Sequence, residues 1–439
     1  MEWKILARFV VQTPHRVIRN GCVVVEGDRI VDVGRAGLSG RYPRYERVDA
    51  QDCVVIPGLI NAHCHAAMTL MRGIADDMPL DRWLGKIWSI ESELRREDVY
   101  VGTVIACLEM VRSGTTCFND MYFYPGAVAE AVEEVGMRGV ISVPIIELDD
   151  RARGERLLRE GEEAVREHHG RAGGRVRCSF GPHAPYTCGP ELLVRARELA
   201  DRYHVGVHIH MAETRDEAKR ADEAYDLGLN GRSLVEYLDE IGFLGDNVIA
   251  AHCIWVTDRD IDILARRGVG VASNPVSNMK LADGIAPVPE MLNRGVGVGL
   301  GTDGAASNNC LDLFEEMKAA ALLYKATRGD PTLITAHQAL EMATLGAARA
   351  LRLEGLGAVE GGRKADLVLV DLKRPRLVPT HDPISHLVYA VKGGDVKTVM
   401  IDGRLVYDRG RILTVDEEGF LERAQRASES LMERAGVGG

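Results

Sequence analysis

The stretch Val54-Val-Ile-Pro-Gly-Leu-Ile-Asn-Ala-His-Cys-His65 begins as an apolar, β-rich run and ends on two histidines one residue apart. Seven similar runs follow, and longer helical patterns separate each run from the next. These runs occupy residues 115–120, 140–146, 176–183, 205–210, 248–253, 269–275 and 296–303. Alternating strand and helix patterns are typical of βα units with a parallel sheet. Eight such units predict an α/β fold, a closed (β/α)8 TIM barrel.

The two chain ends have a different pattern. Residues before about 55 and after about 355 alternate apolar with polar side chains and contain the hairpin signals Glu26-Gly27-Asp28 and Asp402-Gly403. We therefore predict a barrel domain over residues 56–354. A small β-sandwich domain is predicted from both chain ends, residues 1–55 plus 355–439. The charged segment from about Glu417 to Arg434 is predicted to form a helix that packs on the rest of the protein.

The composition is that of a globular protein with a large core, since 46% of the 439 residues are hydrophobic and 27% are charged. The formal net charge of −11 disfavours nucleic acid and anionic membranes as partners. The sequence has neither an export signal nor an apolar stretch of the roughly 18 residues that a membrane span requires. The nine cysteines are odd in number and form no CxxC pair, which indicates reduced thiols. We expect a cytoplasmic location.

Candidate metal ligands follow from the rule that the active site of a (β/α)8 barrel forms where the strands end. Strand one ends with His63 and His65, strand five with His208 and His210, and strand eight with Asp303. Side chains two apart on a strand share a face, so each histidine pair can point to the barrel axis. His210 lies nearer the strand end than His208 and is the better ligand. Catalytic zinc takes three or more nitrogen or oxygen ligands, and the predicted set is His63, His65, His210 and Asp303.

Candidate catalytic groups lie beside these ligands. Glu213 follows His210 by three residues, and its carboxylate can reach a molecule bound next to the metal, as a general acid/base must. His252 ends strand six and can orient an attacking water, while Asp303 can accept the proton of that water and remain a ligand. A carboxylate at a helix start is also favoured by the helix dipole, so Glu213 has a purely structural alternative.

Six motifs together resemble the amidohydrolase superfamily, in its branch of hydrolytic deaminases that act on methylthioadenosine and S-adenosylhomocysteine. The motifs are Pro57-Gly-Leu-Ile-Asn-Ala-His-Cys-His65, Phe180-Gly-Pro-His-Ala-Pro-Tyr186, His208-Ile-His-Met-Ala-Glu-Thr214, Ala250-Ala-His-Cys253, Ser273-Asn-Pro-Val-Ser-Asn-Met-Lys-Leu281 and Leu300-Gly-Thr-Asp-Gly-Ala-Ala-Ser-Asn-Asn309. The resemblance covers nearly the whole chain. A His-x-His pair alone is a weak signal, whereas the complete ordered set is a specific one.

This resemblance implies one zinc ion per chain at the four predicted ligands, with Fe2+, Mn2+ or Ni2+ as alternative metals. It implies that Glu213 and His252 act as acid and base. It also implies that the substrate is contacted by His183, Glu213 and Asp303.

The resemblance further implies that Glu91 binds both ribose hydroxyls of a nucleoside. From the residues alone this role is weakly supported, because Glu93 is close and a charged helix residue is usually solvated. Members of the family often meet a substrate carboxylate with arginines after strand three, where this chain has none before Arg151, Arg153 and Arg156. Among these three arginines, the local pattern Gly154-Glu-Arg-Leu157 favours Arg156 as the one that binds the substrate carboxylate.

On this resemblance, the predicted function is zinc-dependent hydrolytic deamination of 5′-methylthioadenosine, S-adenosylhomocysteine or both, which gives the inosine derivative and ammonia. One alternative is a related deaminase or chlorohydrolase that acts on 5′-deoxyadenosine, adenosine, guanine or a triazine ring. A non-catalytic barrel scaffold is the alternative from another class, and the intact ligand set argues against it. The expected partner is a small nucleoside substrate. Assembly of the chain into a homo-oligomer is compatible with the sequence.

Overall fold

The computed structural model describes residues 1–437 and contains two eight-stranded sheets. The strands are β1 (Glu2–Thr13), β2 (Arg16–Glu26), β3 (Arg29–Arg35), β4 (Glu46–Pro57), β5 (Leu59–Cys64), β6 (Thr115–Met121), β7 (Arg138–Ile145), β8 (Val176–Pro182), β9 (Gly206–Met211), β10 (Val248–His252), β11 (Gly270–Ser273), β12 (Gly297–Leu300), β13 (Leu367–Asp371), β14 (Val396–Ile401), β15 (Arg404–Asp408) and β16 (Arg411–Ile412).

Helices connect most of the barrel strands and cover the outside of the parallel sheet. They are α1 (Leu80–Glu91), α2 (Arg96–Arg112), α3 (Pro125–Val135), α4 (Arg151–His168), α5 (Arg171–Gly174), α6 (Pro190–Tyr203), α7 (Glu217–Tyr225), α8 (Leu234–Glu240), α9 (Asp258–Arg267), α10 (Pro275–Lys280), α11 (Val288–Asn293), α12 (Leu313–Arg328), α13 (Ala336–Met342), α14 (Leu345–Ala350), α15 (Pro383–Tyr389) and α16 (Glu417–Arg434). Within residues 1–437, no helix has the length and apolar character needed to cross a membrane.

Strands β5 to β12 form a parallel sheet in chain order. Side chains join its two outermost strands. Asn61 Oδ1 accepts a hydrogen bond from the Thr302 amide at 3.0 Å, and Asn61 Nδ2 donates one to Thr302 Oγ1 at 2.7 Å. Both residues are fully buried. The nearly closed eight-stranded parallel barrel confirms the predicted TIM-barrel fold.

The other sheet is mixed, and both chain ends contribute strands to it. Its order is β16-β15-β14-β13-β4-β1-β2-β3, so the N-terminal and C-terminal strands pair with each other where β4 meets β13. Both predicted hairpins are present: Gly27 and Asp28 connect β2 to β3, and Asp402 and Gly403 connect β14 to β15. Asp402 and Gly403 both have positive φ, as a type I′ turn requires. A separate β-structure built from the chain ends is thus confirmed.

One predicted run divides between the two sheets. The apolar pattern treats residues 54–63 as one barrel strand, but β4 ends at Pro57 in the mixed sheet and β5 begins at Leu59 in the barrel. Gly58 lies at the junction, where a Cβ atom would be 2.1 Å from Oγ1 of Thr116. Only glycine fits this close approach. Because both strands are buried on both faces near the junction, their apolar pattern is continuous and does not mark the boundary.

The C-terminal helix predicted from the sequence is α16, and it packs against α2 of the barrel. Phe420 and Leu431 of α16 are buried, and the Phe420 ring lies edge-on to Tyr100 of α2 at 6.0 Å. Arg112 at the end of α2 donates to Glu417 Oε2 at 2.7 Å. The helix therefore ties the C-terminal part of the chain to the barrel.

Candidate metal and substrate site

The four predicted metal ligands meet at the C-terminal end of the barrel. His63 Nε2 and His65 Nε2 lie 3.3 and 3.4 Å from Asp303 Oδ1. The Nε2 atoms of His65 and His210 are 3.2 Å apart. Tetrahedral zinc with bonds of about 2.0–2.1 Å has neighbouring ligand atoms about 3.3–3.4 Å apart, so this donor set fits the ion.

The protonation of the ligand histidines also suits a metal. His65 Nδ1 donates to the Met121 carbonyl and His210 Nδ1 to the His183 carbonyl, each at 2.8 Å. A carbonyl only accepts, so Nδ1 carries the proton and Nε2 keeps its lone pair. His63 Nε2 is buried and has no hydrogen-bond partner within residues 1–437. Burial lowers the pKa of His63 to about 4 and holds the pKa of His210 well below its usual value, which keeps both rings neutral.

Asp303 is held in place from both sides. Its backbone has a φ of 62°, in the left-handed region, and its amide donates to the His63 carbonyl at 3.0 Å. Its Oδ2 accepts from Ser277 Oγ at 2.6 Å and Ser307 Oγ at 2.9 Å, so Oδ1 is left facing the histidines. Burial raises the pKa of Asp303, whereas a hydrogen bond from His63 and the charges of His63, His65 and His252, when these rings are protonated, lower it, so this pKa lies well below its usual range. Sequence reasoning missed the two serines, although both lie within the family-like motifs.

Glu213 and His252 face each other beside the ligands, with 3.5 Å between Glu213 Oε1 and His252 Nε2. His252 Nδ1 lies 2.9 Å from Asn278 Oδ1 and 3.3 Å from Asn274 Nδ2; in the tautomer that donates along the shorter contact, Nε2 presents a lone pair to the site. Burial, and after it the charge of Asp303, raises the pKa of Glu213 well above its usual value. Glu213 can therefore hold a proton at neutral pH, as a general acid must.

A turn that sequence reasoning missed holds Glu213 in position. Ala212, directly after β9, has a φ of 53°. The buried Glu217 carboxylate closes the turn, since it accepts from the Ala212 amide at 2.9 Å and the Glu213 amide at 2.8 Å. The Trp255 amide donates to the Ala212 carbonyl at 2.9 Å and so connects this turn to the loop after His252. In the sequence, Glu217 could not be told from a solvated carboxylate at a helix start.

These groups line one end of a cavity whose empty space, counted up to its open mouth, is about 650 Å³. We call this the inner end and define it by His65, His210, Glu213, His252 and Asp303. An adjoining cavity shares the walls Trp88, Glu91, Phe123 and Ile146 with the first and adds Arg153, and these five residues define the outer end.

Two further residues predicted to contact a nucleoside, Glu91 and His183, also line this cavity. Glu91 ends α1, and burial raises its pKa to about 7, while hydrogen bonding with Tyr122 acts in the opposite direction. Glu93 is exposed to solvent. His183 Nδ1 lies 3.0 Å from Thr187 Oγ1, and burial lowers the pKa of His183 to about 3. The structure thus brings both residues together with the metal ligands.

The structure does not bring Arg156 to the cavity. The Arg156 side chain is exposed on α4 and lies 3.9 Å from Asp150. Arg153, one turn earlier, lines the outer end. The helix buries Gly154 and Leu158, and this rotation directs Arg153 to the cavity and Arg156 to solvent. The phase of the helix about its axis could not be read from the local sequence pattern.

The profile of the Amidohydrolase family matches residues 54–406, which is most of the chain. The chain belongs to the amidohydrolase family. The prediction of an enzyme of the hydrolase class is thereby confirmed.

Named relatives of this amidohydrolase act on adenosine derivatives. The chain is 50% identical over 419 residues to a 5′-deoxyadenosine deaminase of Methanosarcina acetivorans, with 95% of each protein covered. It is 48% identical over 423 residues to a 5-methylthioadenosine/S-adenosylhomocysteine deaminase of Pelotomaculum thermopropionicum, with 96% of each covered. Among solved structures, it resembles a zinc-bound adenosine deaminase of Xanthomonas campestris with a TM-score of 0.92 and 34% identity, over 98% of this chain and 99% of that one.

Proposed function

We propose that this amidohydrolase is a zinc-dependent deaminase of adenosines modified at the 5′ position. The candidate substrates are 5′-methylthioadenosine, 5′-deoxyadenosine and S-adenosylhomocysteine. One observation carries the proposal: a single cavity is lined at its inner end by His65, His210, Asp303 and Glu213 and also by the Glu91 carboxylate. The residues of the inner end can activate water for attack on a ring that carries an amino group. The Glu91 carboxylate can accept hydrogen bonds from the two hydroxyls of a ribose. The relatives named above support the same substrate class.

The metal-ligand set would activate the water, and Glu213 would activate the adenine ring. Zinc held by His63, His65, His210 and Asp303 would supply a Lewis acid that makes water nucleophilic at neutral pH. The ring carbon C6, which carries the amino group, is a poor electrophile until N1 of adenine is protonated. Glu213 holds the proton that N1 needs, because burial raises its pKa.

His252 and Asp303 act on the attacking water. His252 Nε2 accepts a hydrogen bond from this water and orients it, since its Nδ1 is committed to Asn278. Asp303 is ionised and accepts the proton that the water loses as it attacks C6. Asp303 then passes this proton to the amino group, which leaves as ammonia, and the Glu213 carboxylate takes the proton of the oxygen now bound to C6, so both groups return to their starting forms. Water and the adenosine derivative are thereby converted to ammonia and the inosine derivative.

The outer end determines which 5′ substituent is accepted. Glu91 can accept hydrogen bonds from the 2′ and 3′ hydroxyls, which directs the 5′ group outward. The walls there are mainly apolar, from side chains such as Trp88, Phe123 and Ile146, and favour a methyl or methylthio group. Arg153 offers a cation to the carboxylate of S-adenosylhomocysteine. A triazine or guanine would leave Glu91 without a hydroxyl pair.

A screen of ammonia release tests the proposal. Zinc-loaded protein is incubated separately with adenosine, 5′-methylthioadenosine, 5′-deoxyadenosine, S-adenosylhomocysteine and guanine. We expect the apolar outer end to favour 5′-methylthioadenosine and 5′-deoxyadenosine over adenosine by about tenfold in kcat/KM. Ammonia from guanine alone would contradict the role of Glu91. No ammonia from any compound, with zinc bound, would favour the non-catalytic scaffold.

A further inference from the structure

A further buried histidine, His208, lies next to the proposed metal ligand His63 and makes a contact that the proposed chemistry does not use. His208 is on β9, two residues before His210, and is fully buried. Its Nε2 lies 2.8 Å from Nδ1 of His63, and the two rings meet edge-on with centroids 4.9 Å apart. Because Nε2 of His208 is engaged with His63, that nitrogen is not available to a metal.

The other two ligand histidines are oriented differently. His65 and His210 each donate Nδ1–H to a backbone carbonyl, which can only accept. His63 is the ligand histidine whose Nδ1 meets a side chain, and that side chain could either donate or accept. For His63 to bind a metal through Nε2, its Nδ1 must carry the proton. His208 Nε2 must then be the acceptor.

We propose that His208 is a positioning residue of the metal site, which accepts the Nδ1–H hydrogen bond of His63 and so keeps the Nε2 lone pair of His63 directed at the metal. The inference rests on the proposed function, because it takes His63 as a zinc ligand. Histidine ligands usually have such a partner, and loss of the partner weakens metal binding about 10- to 100-fold. Here a neutral imidazole takes the place of the more usual carbonyl or carboxylate.

Two substitutions separate hydrogen bonding from packing. In His208→Gln the amide oxygen lies about as far along the side chain as Nε2 and can still accept from His63. In His208→Leu the volume is similar, but no acceptor remains. Ser179→Ala is the matched control, because Ser179 is buried on the neighbouring strand β8, its hydroxyl has no partner within residues 1–437, and it makes no hydrogen bond to His63.

The readout is zinc release from the loaded full-length protein into excess chelator, together with thermal unfolding of the metal-free protein. We expect His208→Leu to release zinc about 10- to 100-fold faster than wild type. His208→Gln and Ser179→Ala are expected to stay within about threefold of wild type. If the Leu variant does not fold, His208→Asn replaces it, since its shorter side chain keeps an amide but cannot reach His63.

Equal zinc release from the Gln variant and the variant without a reaching acceptor would overturn the inference and leave His208 a packing residue. Cobalt substitution gives a second criterion, because a reoriented His63 changes the visible spectrum of bound Co2+ in His208→Leu and not in His208→Gln. Failure of the wild-type protein to bind zinc is a different result. It would contradict the proposed function itself, and with it the role of His208.

Discussion

The inner and outer ends of the cavity are built from different parts of the barrel. Strand ends and the turns that follow them form the inner end, where Asp303 and each ligand histidine have partners that set their orientation. Helices α1 and α4 and the loops after β6 and β7 form the outer end, where Trp88 and Arg153 are partly exposed. The proposed reaction centre is therefore held by the barrel strands, whereas the walls proposed to select the substrate belong to helices and loops that can vary without disturbing those strands.

The largest effect is expected at the inner end, from Glu213→Gln. Glutamine cannot donate a carboxyl proton to N1, so kcat/KM for 5′-methylthioadenosine should fall at least about 10³-fold. Zinc content should not change, because Glu213 is not one of the proposed ligands. The matched control is Glu223→Gln, an exposed glutamate on α7. Near-normal turnover by Glu213→Gln with zinc bound would remove the acid/base assignment.

At the outer end, Glu91→Gln tests ribose recognition. The loss of a charged hydrogen-bond acceptor should lower kcat/KM for 5′-modified adenosines about 10- to 100-fold. Glu93→Gln, an exposed neighbour on the same segment, should leave kcat/KM unchanged. Steady-state kinetics on both variants measure the difference. Equal losses of kcat/KM in the two variants would mean that Glu91 does not bind the ribose hydroxyls.

Substitution of Arg153 and of Arg156 tests which arginine binds the carboxylate of the 5′ substituent. Arg153→Leu should lower kcat/KM for S-adenosylhomocysteine about tenfold and leave 5′-methylthioadenosine nearly unaffected, because Arg153 is the arginine that lines the outer end. Arg156→Leu should have no effect on either substrate, since Arg156 is exposed beside Asp150. A selective loss in Arg156→Leu would instead support the choice made from the local sequence pattern.

The smallest expected effect is the pH dependence of KM. Burial raises the pKa of Glu91 to about 7, so the ionised form that accepts two hydroxyl hydrogen bonds predominates above that pH. KM for 5′-methylthioadenosine should therefore rise about fivefold as pH falls from about 8 to about 6. Glu91→Gln should have a high KM that does not change with pH across this interval. The same titration in both proteins would assign the effect to another group.

Much of the fold could be predicted from the sequence, because parallel strands buried on both faces give apolar runs that are easy to count. The junction at Gly58 could not be predicted, because β4 and β5 are both buried near it and their apolar residues form one continuous run in the sequence. Here the boundary depends on the contact between Gly58 and Thr116, which are far apart in the sequence.

The site was predictable to different extents at its two ends. At the inner end, the strand-end rule and the period of two select His63, His65 and His210 from the sequence alone. The groups that hold the ligands, such as Ser277, are ordinary residues whose role depends on tertiary contacts. At the outer end, the choice between arginines required the rotation of α4, which is set by packing.

We expect this chain to need zinc to release ammonia from a 5′-modified adenosine. The most direct measurement removes metal with a chelator and then follows ammonia release from 5′-methylthioadenosine as zinc is added back. We predict that activity is lost on metal removal and returns in proportion to zinc, with saturation near one ion per chain and one ammonia released per nucleoside consumed. Full activity in the metal-free protein, or no ammonia at one zinc per chain, would contradict it.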